Sequence, residues 1–368
     1  MIHIAFDYQI FSSQKFGGIS RYYVNLVDQI SRMDKPVNAR IIAPLHQNRY
    51  LKSLSKELSY GKFVNRYPPK STKLVSKLNK SIFEYNVKKW NPKVIHETYY
   101  SDVHSNFSCP TVVTVHDMIH EIFTDKFPNN DYTSIYKKNS VERADHIICI
   151  SESTKSDLIN VFNIDEKKIS VTHHGVSSLV TTLDRYSLVK KHHNPYILYV
   201  GNRWGHKNFN RLIKAFASSK NLVKDFDVVS FGGNKFNDNE LALFNKLGLK
   251  DKVFHYVGDD MCLSEFYNQA NIFVYPSLYE GFGLPPLEAM ANNCAVASSN
   301  TSSMPEVIGN AGEFFDPYDL DDIKQAIENV VYSNKRTNEL LSFGIKRASE
   351  FTWEKCAEET LNVYKKYL

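Results

Sequence analysis

The sequence predicts an α/β protein of two doubly wound domains with a cleft between them. Three observations carry that expectation. Strand-like and helix-like segments alternate along the whole chain, a polar stretch from Ser177 to Asn194 interrupts the alternation once, and 368 residues suffice for two separate cores. The expected domains are residues 1–180 and residues 195–350, followed by a closing helix at 353–368.

The first strand is Ile2–Phe6. Phe16-Gly17-Gly18-Ile19 then opens a helix whose Ile19, Tyr22, Tyr23, Leu26, Ile30 and Met33 recur at helical spacing. Paired glycines there either let the backbone approach an anion or form a flexible turn. No G-x-G-x-x-G follows the strand, which argues against a nicotinamide oxidoreductase. The next strands are Ala39–Ala43, Val94–Glu97, Thr111–Val115, His146–Ile150 and Ile169–Thr172, with a helical stripe at Leu74, Leu78, Ile82 and Tyr85. Ser151 is placed to cap the helix that contains Asp157-Leu158-Ile159. Beyond the polar linker come the strands Tyr196–Val200, Phe226–Phe231, Lys252–Val257, Ile272–Tyr275, Cys294–Ala297 and Gly312–Phe315. Helical patterns at Phe209–Ala217, Asn239–Lys246 and Leu263–Ala270 separate them, and Trp353–Tyr367 closes the chain as an amphipathic helix.

Composition narrows the class. The chain is 42% hydrophobic and 23% charged, with 22 Tyr and 23 Phe. It opens on a strand rather than a basic, apolar leader, and no apolar run approaches the ~20 residues of a membrane span. Five scattered cysteines read as reduced core residues, which points to the cytoplasm. The net charge of +5 hides an asymmetry: between Arg49 and Lys93 stand twelve Lys and Arg against Glu57 and Glu84, a local charge of +10. That segment fits either a solvated helical face or docking of a peripheral protein on an anionic membrane. Nucleic acid is not expected as a partner, because no nucleic-acid motif accompanies the charge.

Ligands of doubly wound sheets bind at the carboxyl ends of strands, so the loops there should carry the chemistry. After Val115 stands His116-Asp117-Met118-Ile119-His120-Glu121, whose first histidine is placed to hydrogen-bond a substrate hydroxyl. A metal site is not expected, since the chain turns off a strand here and His116 and His120 would need one helix to share a face. After Val200, Arg203 and Lys207 lie at the start of a helix, a planar fork and a point charge suited to two phosphates. Gly258 follows a strand and allows the backbone close to a flat nucleobase. After Tyr275 comes Glu280-Gly281-Phe282-Gly283-Leu284-Pro285-Pro286-Leu287-Glu288, two carboxylates eight positions apart around a glycine turn. Pro285 and Pro286 suit the first turn of a helix, and its N-terminus attracts phosphate. Glu288, about one turn inside, is placed for a sugar diol. The D-x-D pairs Asp225/Asp227 and Asp319/Asp321 fall at element boundaries away from these loops, and no metal or other cofactor is expected.

The run Tyr275–Met290 closely resembles the E-x7-E signature of family 4 retaining glycosyltransferases, which have the GT-B architecture of two Rossmann-like domains. The double glycine, the strand-end histidine, the Gly…Lys-Asn loop, Met304-Pro305-Glu306-Val307 and the Phe351-Thr352-Trp353 helix occur in the family's order, and the resemblance implies that this closing helix, 353–368, crosses back onto the N-terminal domain. The resemblance implies that Arg203 and Lys207 bind the diphosphate of a nucleotide-sugar donor and that Glu288 binds its ribose. Glu280 and the backbone of Gly281, Phe282, Gly283 and Leu284 would face the donor sugar, His116 the reacting centre, and Gly17 and Gly18 the phosphates or acceptor. The loop Gly201-Asn202-Arg203-Trp204 looks like that of bacterial O-antigen and capsule mannosyl- and rhamnosyltransferases. The activity implied is retaining hexosyl transfer, with GDP-mannose the favoured donor, onto a lipid-linked or glycan acceptor. A sugar epimerase or phosphorylase of similar architecture and a non-catalytic membrane- or nucleic-acid-binding module are the alternatives.

Overall fold

The computed structural model describes residues 2–102, 107–128, 130–176 and 192–368. Most of the polar stretch Ser177–Asn194 lies outside them. The chain forms two compact units: Met1–Gly175 together with Thr352–Leu368, and Val176–Phe351.

The first unit contains β1 (Ile2–Phe6), β2 (Val37–His46), β3 (Ser59–Phe63), β4 (Val94–Glu97), β5 (Thr111–Val115), β6 (His146–Cys149) and β7 (Ile169–Val171). They form one parallel sheet in the order β3-β2-β1-β4-β5-β6-β7. The second unit contains β8 (Tyr196–Val200), β9 (Asp227–Phe231), β10 (Val253–Tyr256), β11 (Ile272–Tyr275), β12 (Val296–Ser299) and β13 (Gly312–Phe315), parallel in the order β10-β9-β8-β11-β12-β13. Both are doubly wound α/β sheets. Their strand order reverses direction at β1/β4 and at β8/β11, the positions at which open α/β sheets bind ligands.

Apolar strands buried on both faces anchor each core: Ile4 and Phe6 with Tyr23, Leu26 and Ile30 in the first unit, Ile197 and Tyr199 with Phe209, Leu212 and Phe216 in the second. The closing helix, Trp353–Lys365, belongs to the first unit, where Tyr364 hydrogen-bonds His96 Nδ1 at 2.5 Å and Tyr367 hydrogen-bonds His146 Nδ1 at 3.1 Å.

Three local expectations are corrected. β3 was absent from the sequence pattern; it is an edge strand, Ser-Tyr-Gly-Lys-Phe, with one partner and mostly exposed side chains, so it lacks the alternation that marks a half-buried strand. Helix Thr72–Trp90 forms, but it buries Val75, Asn79, Phe83 and Val87, whereas Leu74, Leu78 and Tyr85 face solvent. Asn79 disguised the inward stripe: its amide donates to Leu45 O and Ser12 Oγ and accepts from Leu45 N, which satisfies a polar group at a core position. β12 lies two residues later than expected, because Ser298 and Ser299 are buried strand residues.

Candidate functional site

In the second unit the loops after β8 and β11 flank the point where strand order reverses. Leu278 N donates to His206 O at 2.7 Å, and Asn208 Nδ2 donates to Pro276 O at 3.0 Å and Pro317 O at 2.9 Å. Asn208 adopts the left-handed region (φ 59°), a conformation Asn tolerates, and immediately precedes helix Phe209–Ser218. The two loops are therefore tied into one surface.

On that surface Lys207 Nζ lies 2.6 Å from Glu280 Oε1, the lysine side chain 24% exposed and the glutamate 10%. Arg203 is placed differently. Its side chain is 5% exposed and its Nε donates to Glu240 Oε1 at 2.7 Å, while Nη2 donates to Asn234 O at 2.6 Å. Glu240 also closes a capping box on helix Asp238–Lys246 through Asn237 N, so Arg203 clamps its loop to that helix. Lys207 thus carries the accessible cation and Arg203 the fixed one.

The glycine turn delivers Glu280 and the next helix as the sequence requires. Gly283 sits at φ 97°, a region that a Cβ makes costly, and helix Leu284–Ala291 starts from it with prolines in its first turn. Glu288 is buried within this helix. A loop that sequence reasoning missed holds the turn from behind. Ser302 Oγ accepts from Glu280 N at 2.9 Å; Ser303 Oγ donates to Glu280 O and Phe282 O, both at 2.9 Å; Thr301 Oγ1 donates to Leu278 O at 2.9 Å. The serine-threonine cluster directly after an apolar strand was the available signal. Gly258 has a packing constraint of its own, since a Cβ there would meet Cys262 Sγ at 2.6 Å.

Both D-x-D pairs are engaged elsewhere. Asp227 bonds His192 Nε2 and Asn194 Nδ2 at the opening end of β9, and Asp319 caps helix Leu320–Val331. Among the described residues no three His, Cys, Asp or Glu converge as a metal-holding group.

In the first unit His116 directly follows β5, buried against Tyr22, Tyr23 and His174. Its Nε2 has no hydrogen-bond partner among the described residues. Burial, with His96 and Lys137 nearby, pushes its pKa down to about 3, so the imidazole is neutral and suited to hydrogen bonding rather than to acting as an acid. Gly17 and Gly18 open helix Gly18–Arg32; a Cβ at Gly17 would meet Gln14 Oε1 at 2.3 Å, while one at Gly18 would meet open space.

Burial also lowers His96 to about 3 and His146 to about 4. Each of these histidines gains a proton on unfolding between its folded pKa and the ordinary 6.5. Stability is therefore present above pH 6.5 and lost as pH falls below it, by about 1.4 kcal/mol per pH unit for each of the deeply buried His96 and His116 and by less for His146. The urea midpoint of the first unit's transition is expected to drop steeply between pH 7 and pH 5; an unchanged midpoint would contradict the buried, neutral state.

The chain's matches to known proteins agree with this geometry. Residues 16–178 match the model "Glycosyltransferase Family 4" and residues 180–347 the model "Glycosyl transferases group 1". The O-antigen chain mannosyltransferase B of Escherichia coli is 31% identical over 270 residues, covering 69% of this chain and 70% of that protein. The O-antigen chain mannosyltransferase RfbU of Salmonella typhimurium is 33% identical over 223 residues, covering 59% of this chain and 60% of that one. Among solved structures, the sucrose-phosphate synthase of Thermosynechococcus elongatus superposes with a TM-score of 0.79 over 100% of this chain and 99% of its own, at 19% identity, a likeness of fold. With both doubly wound sheets in place and the E-x7-E turn built at the second switch point, the chain belongs to the family 4 glycosyltransferases of GT-B architecture.

Proposed function

We propose that this glycosyltransferase moves mannose from GDP-mannose to a lipid-linked or polysaccharide acceptor in surface-glycan synthesis, with retention at the anomeric carbon and without a metal. The Lys207–Glu280 pair at the second unit's switch point carries the reading. Mannose is supported by the two bacterial relatives, whose names describe O-antigen mannosyltransferases.

Departure of the nucleotide builds negative charge on the β-phosphate. Lys207 and the N-termini of helices Phe209–Ser218 and Leu284–Ala291 supply fixed positive charge there, which is where an enzyme gains most. Arg203 holds the loop and reaches the diphosphate only by releasing Glu240. Glu280, relieved of Lys207 when the lysine turns to phosphate, accepts hydrogen bonds from the donor sugar, and Glu288 takes the ribose diol. The backbone from Gly281 to Leu284 lies beside that sugar, and Gly258 brings backbone to the base. His116, neutral, hydrogen-bonds a sugar hydroxyl, and Gly17 and Gly18 leave room for phosphate or acceptor. The departing phosphate takes the acceptor's proton on the same face of the sugar.

Lys207→Ala and Glu288→Ala are each expected to weaken donor binding about tenfold or more, measured by calorimetry. Unchanged affinity in both would overturn the pocket. In a thermal-shift panel of GDP, UDP, ADP and dTDP, GDP is expected to stabilise most. An epimerase or phosphorylase would instead consume the donor sugar with no glycan acceptor present.

The reading includes docking as a peripheral protein on an anionic, cytoplasm-facing membrane. Helix Thr72–Trp90 presents Leu74 (62% exposed), Leu78 (44%) and Tyr85 (66%) to solvent among Lys73, Lys77, Lys88 and Lys89. Apolar side chains beside lysines match the interface of an acidic bilayer. No helix among the described residues is long and apolar enough to cross a membrane. Serine at positions 74, 78 and 85 together is expected to weaken co-sedimentation with phosphatidylglycerol vesicles severalfold. Equal binding by the triple variant would remove this face from consideration.

A further inference from the structure

The first sheet has its own switch point, between β1 and β4, and a cavity of about 250 Å³ lies there. Tyr8 follows β1 and Tyr99 and Tyr100 follow β4, while Tyr67, Thr72 and Ser76 close the far side. The cavity lies in the crevice where open α/β sheets bind ligands.

Its chemistry is distinctive in what surrounds it. The segment from Arg49 to Lys93 carries twelve cations and supplies five of the lining residues, yet among the described residues no Lys or Arg, and no Asp or Glu, lines the cavity. The wall is made of tyrosine rings, hydroxyls and amides. The hydroxyls of Tyr8, Thr72, Ser76 and Tyr99 make no protein hydrogen bond among the described residues, whereas the amide of Asn79 and the hydroxyl of Tyr67 are held by Leu45 O. Tyrosine offers a flat apolar face and a polar rim, which matches a pyranose, apolar on its C–H face and hydroxylated around its edge. Wall hydroxyls without protein partners suit a ligand that brings hydroxyls of its own. An anionic ligand would gain no countercharge here and would lose water in entering. The volume lies below the ~300–1,000 Å³ of drug-sized ligand sites and is the scale of one sugar ring.

We propose that this cavity is a subsite for a single neutral sugar ring of the acceptor glycan, and that it discriminates against acidic sugars and phosphate. The inference rests on the glycosyltransferase reading above and adds the charge class and the seat of the acceptor. It places specificity for the acceptor in residues remote from the E-x7-E turn in sequence.

Saturation-transfer NMR on the full chain tests it, with methyl glycosides of mannose, glucose, galactose and rhamnose as neutral probes and the methyl glycoside of glucuronic acid as the acidic one. At least one neutral glycoside is expected to show transfer, and the glucuronide none. Ser76→Trp, which fills the cavity from an exposed helix position, is expected to weaken the neutral probe at least tenfold, as is Tyr99→Leu; wild-type melting curves establish that each variant is folded. Absence of transfer from all four neutral probes, equal transfer from the glucuronide, or full retention of binding in both folded variants would each overturn the proposal. The GDP thermal shift of the wild-type protein is read separately. Its failure strikes the donor assignment, while a positive shift with no neutral-sugar binding strikes only this subsite.

Discussion

Lys207→Ala is expected to lower kcat about 10²- to 10³-fold, the usual consequence of removing one preorganised group that stabilises developing charge. Steady-state kinetics with saturating donor isolate this from the binding loss. The cause lies in the pair at 2.6 Å. Without the lysine, Glu280 remains a poorly exposed carboxylate beside the place assigned to the diphosphate and repels it. Lys207→Ala combined with Glu280→Gln should therefore bind donor more tightly than Lys207→Ala alone, a non-additivity that two independent residues would not show. Arginine is not expected to rescue, because its wider fork does not fit where a compact ammonium meets a carboxylate at this distance.

Lys137→Met is expected to have the largest effect on stability. Lys137 is fully buried; its Nζ lies 2.6 Å from Glu121 Oε2, donates to Asp117 O at 2.8 Å and stands over the Tyr100 ring. Removing one partner of such a pair leaves an uncompensated charge, a cost of about 3–5 kcal/mol. For a unit of this size that lowers Tm by roughly 10 °C or more. Lys137→Met with Glu121→Leu should recover most of the loss, since replacing both partners of a buried pair by apolar groups is often neutral. A single variant that melts like wild type would contradict the burial of this pair. The same lysine holds the backbone of Asp117, so His116 should lose its fixed position in the single variant before the whole unit unfolds.

The turn that carries Glu280 was legible because backbone chemistry dictates it. Gly283 needs its left-handed turn, Pro285 and Pro286 need a helix's first turn, and the apolar run Ile272–Tyr275 fixes where both begin. Lys207 and Glu280 are 73 positions apart, yet the strand-end rule brings their loops together, since β8 and β11 are neighbours. What escaped the sequence depends on tertiary partners. Ser302 and Ser303 form no motif in the sequence; their bonds to Glu280 and Phe282 exist only in the fold. Arg203 looked like a phosphate ligand, and only the fold shows Glu240 beside it. The inward face of helix Thr72–Trp90 was hidden by Asn79, a polar residue whose burial depends on Leu45 and Ser12. The tyrosine cavity draws on three separate stretches and has no linear motif at all.

The chain leaves the first unit at Gly175 and returns to it at Thr352. At that crossing Val176 N donates to Phe351 O at 2.9 Å, and Gly175 lies so close to the returning chain that a Cβ would come within 2.3 Å of Trp353 N. The second unit thus begins and ends at one stitched point, in the manner of an inserted cassette. Its two ends already meet, so it can be exchanged between relatives at a single seam without stretching either end. If the second unit holds the donor as proposed, donor preference and acceptor preference are separable by cutting and joining at the glycine that keeps the seam narrow.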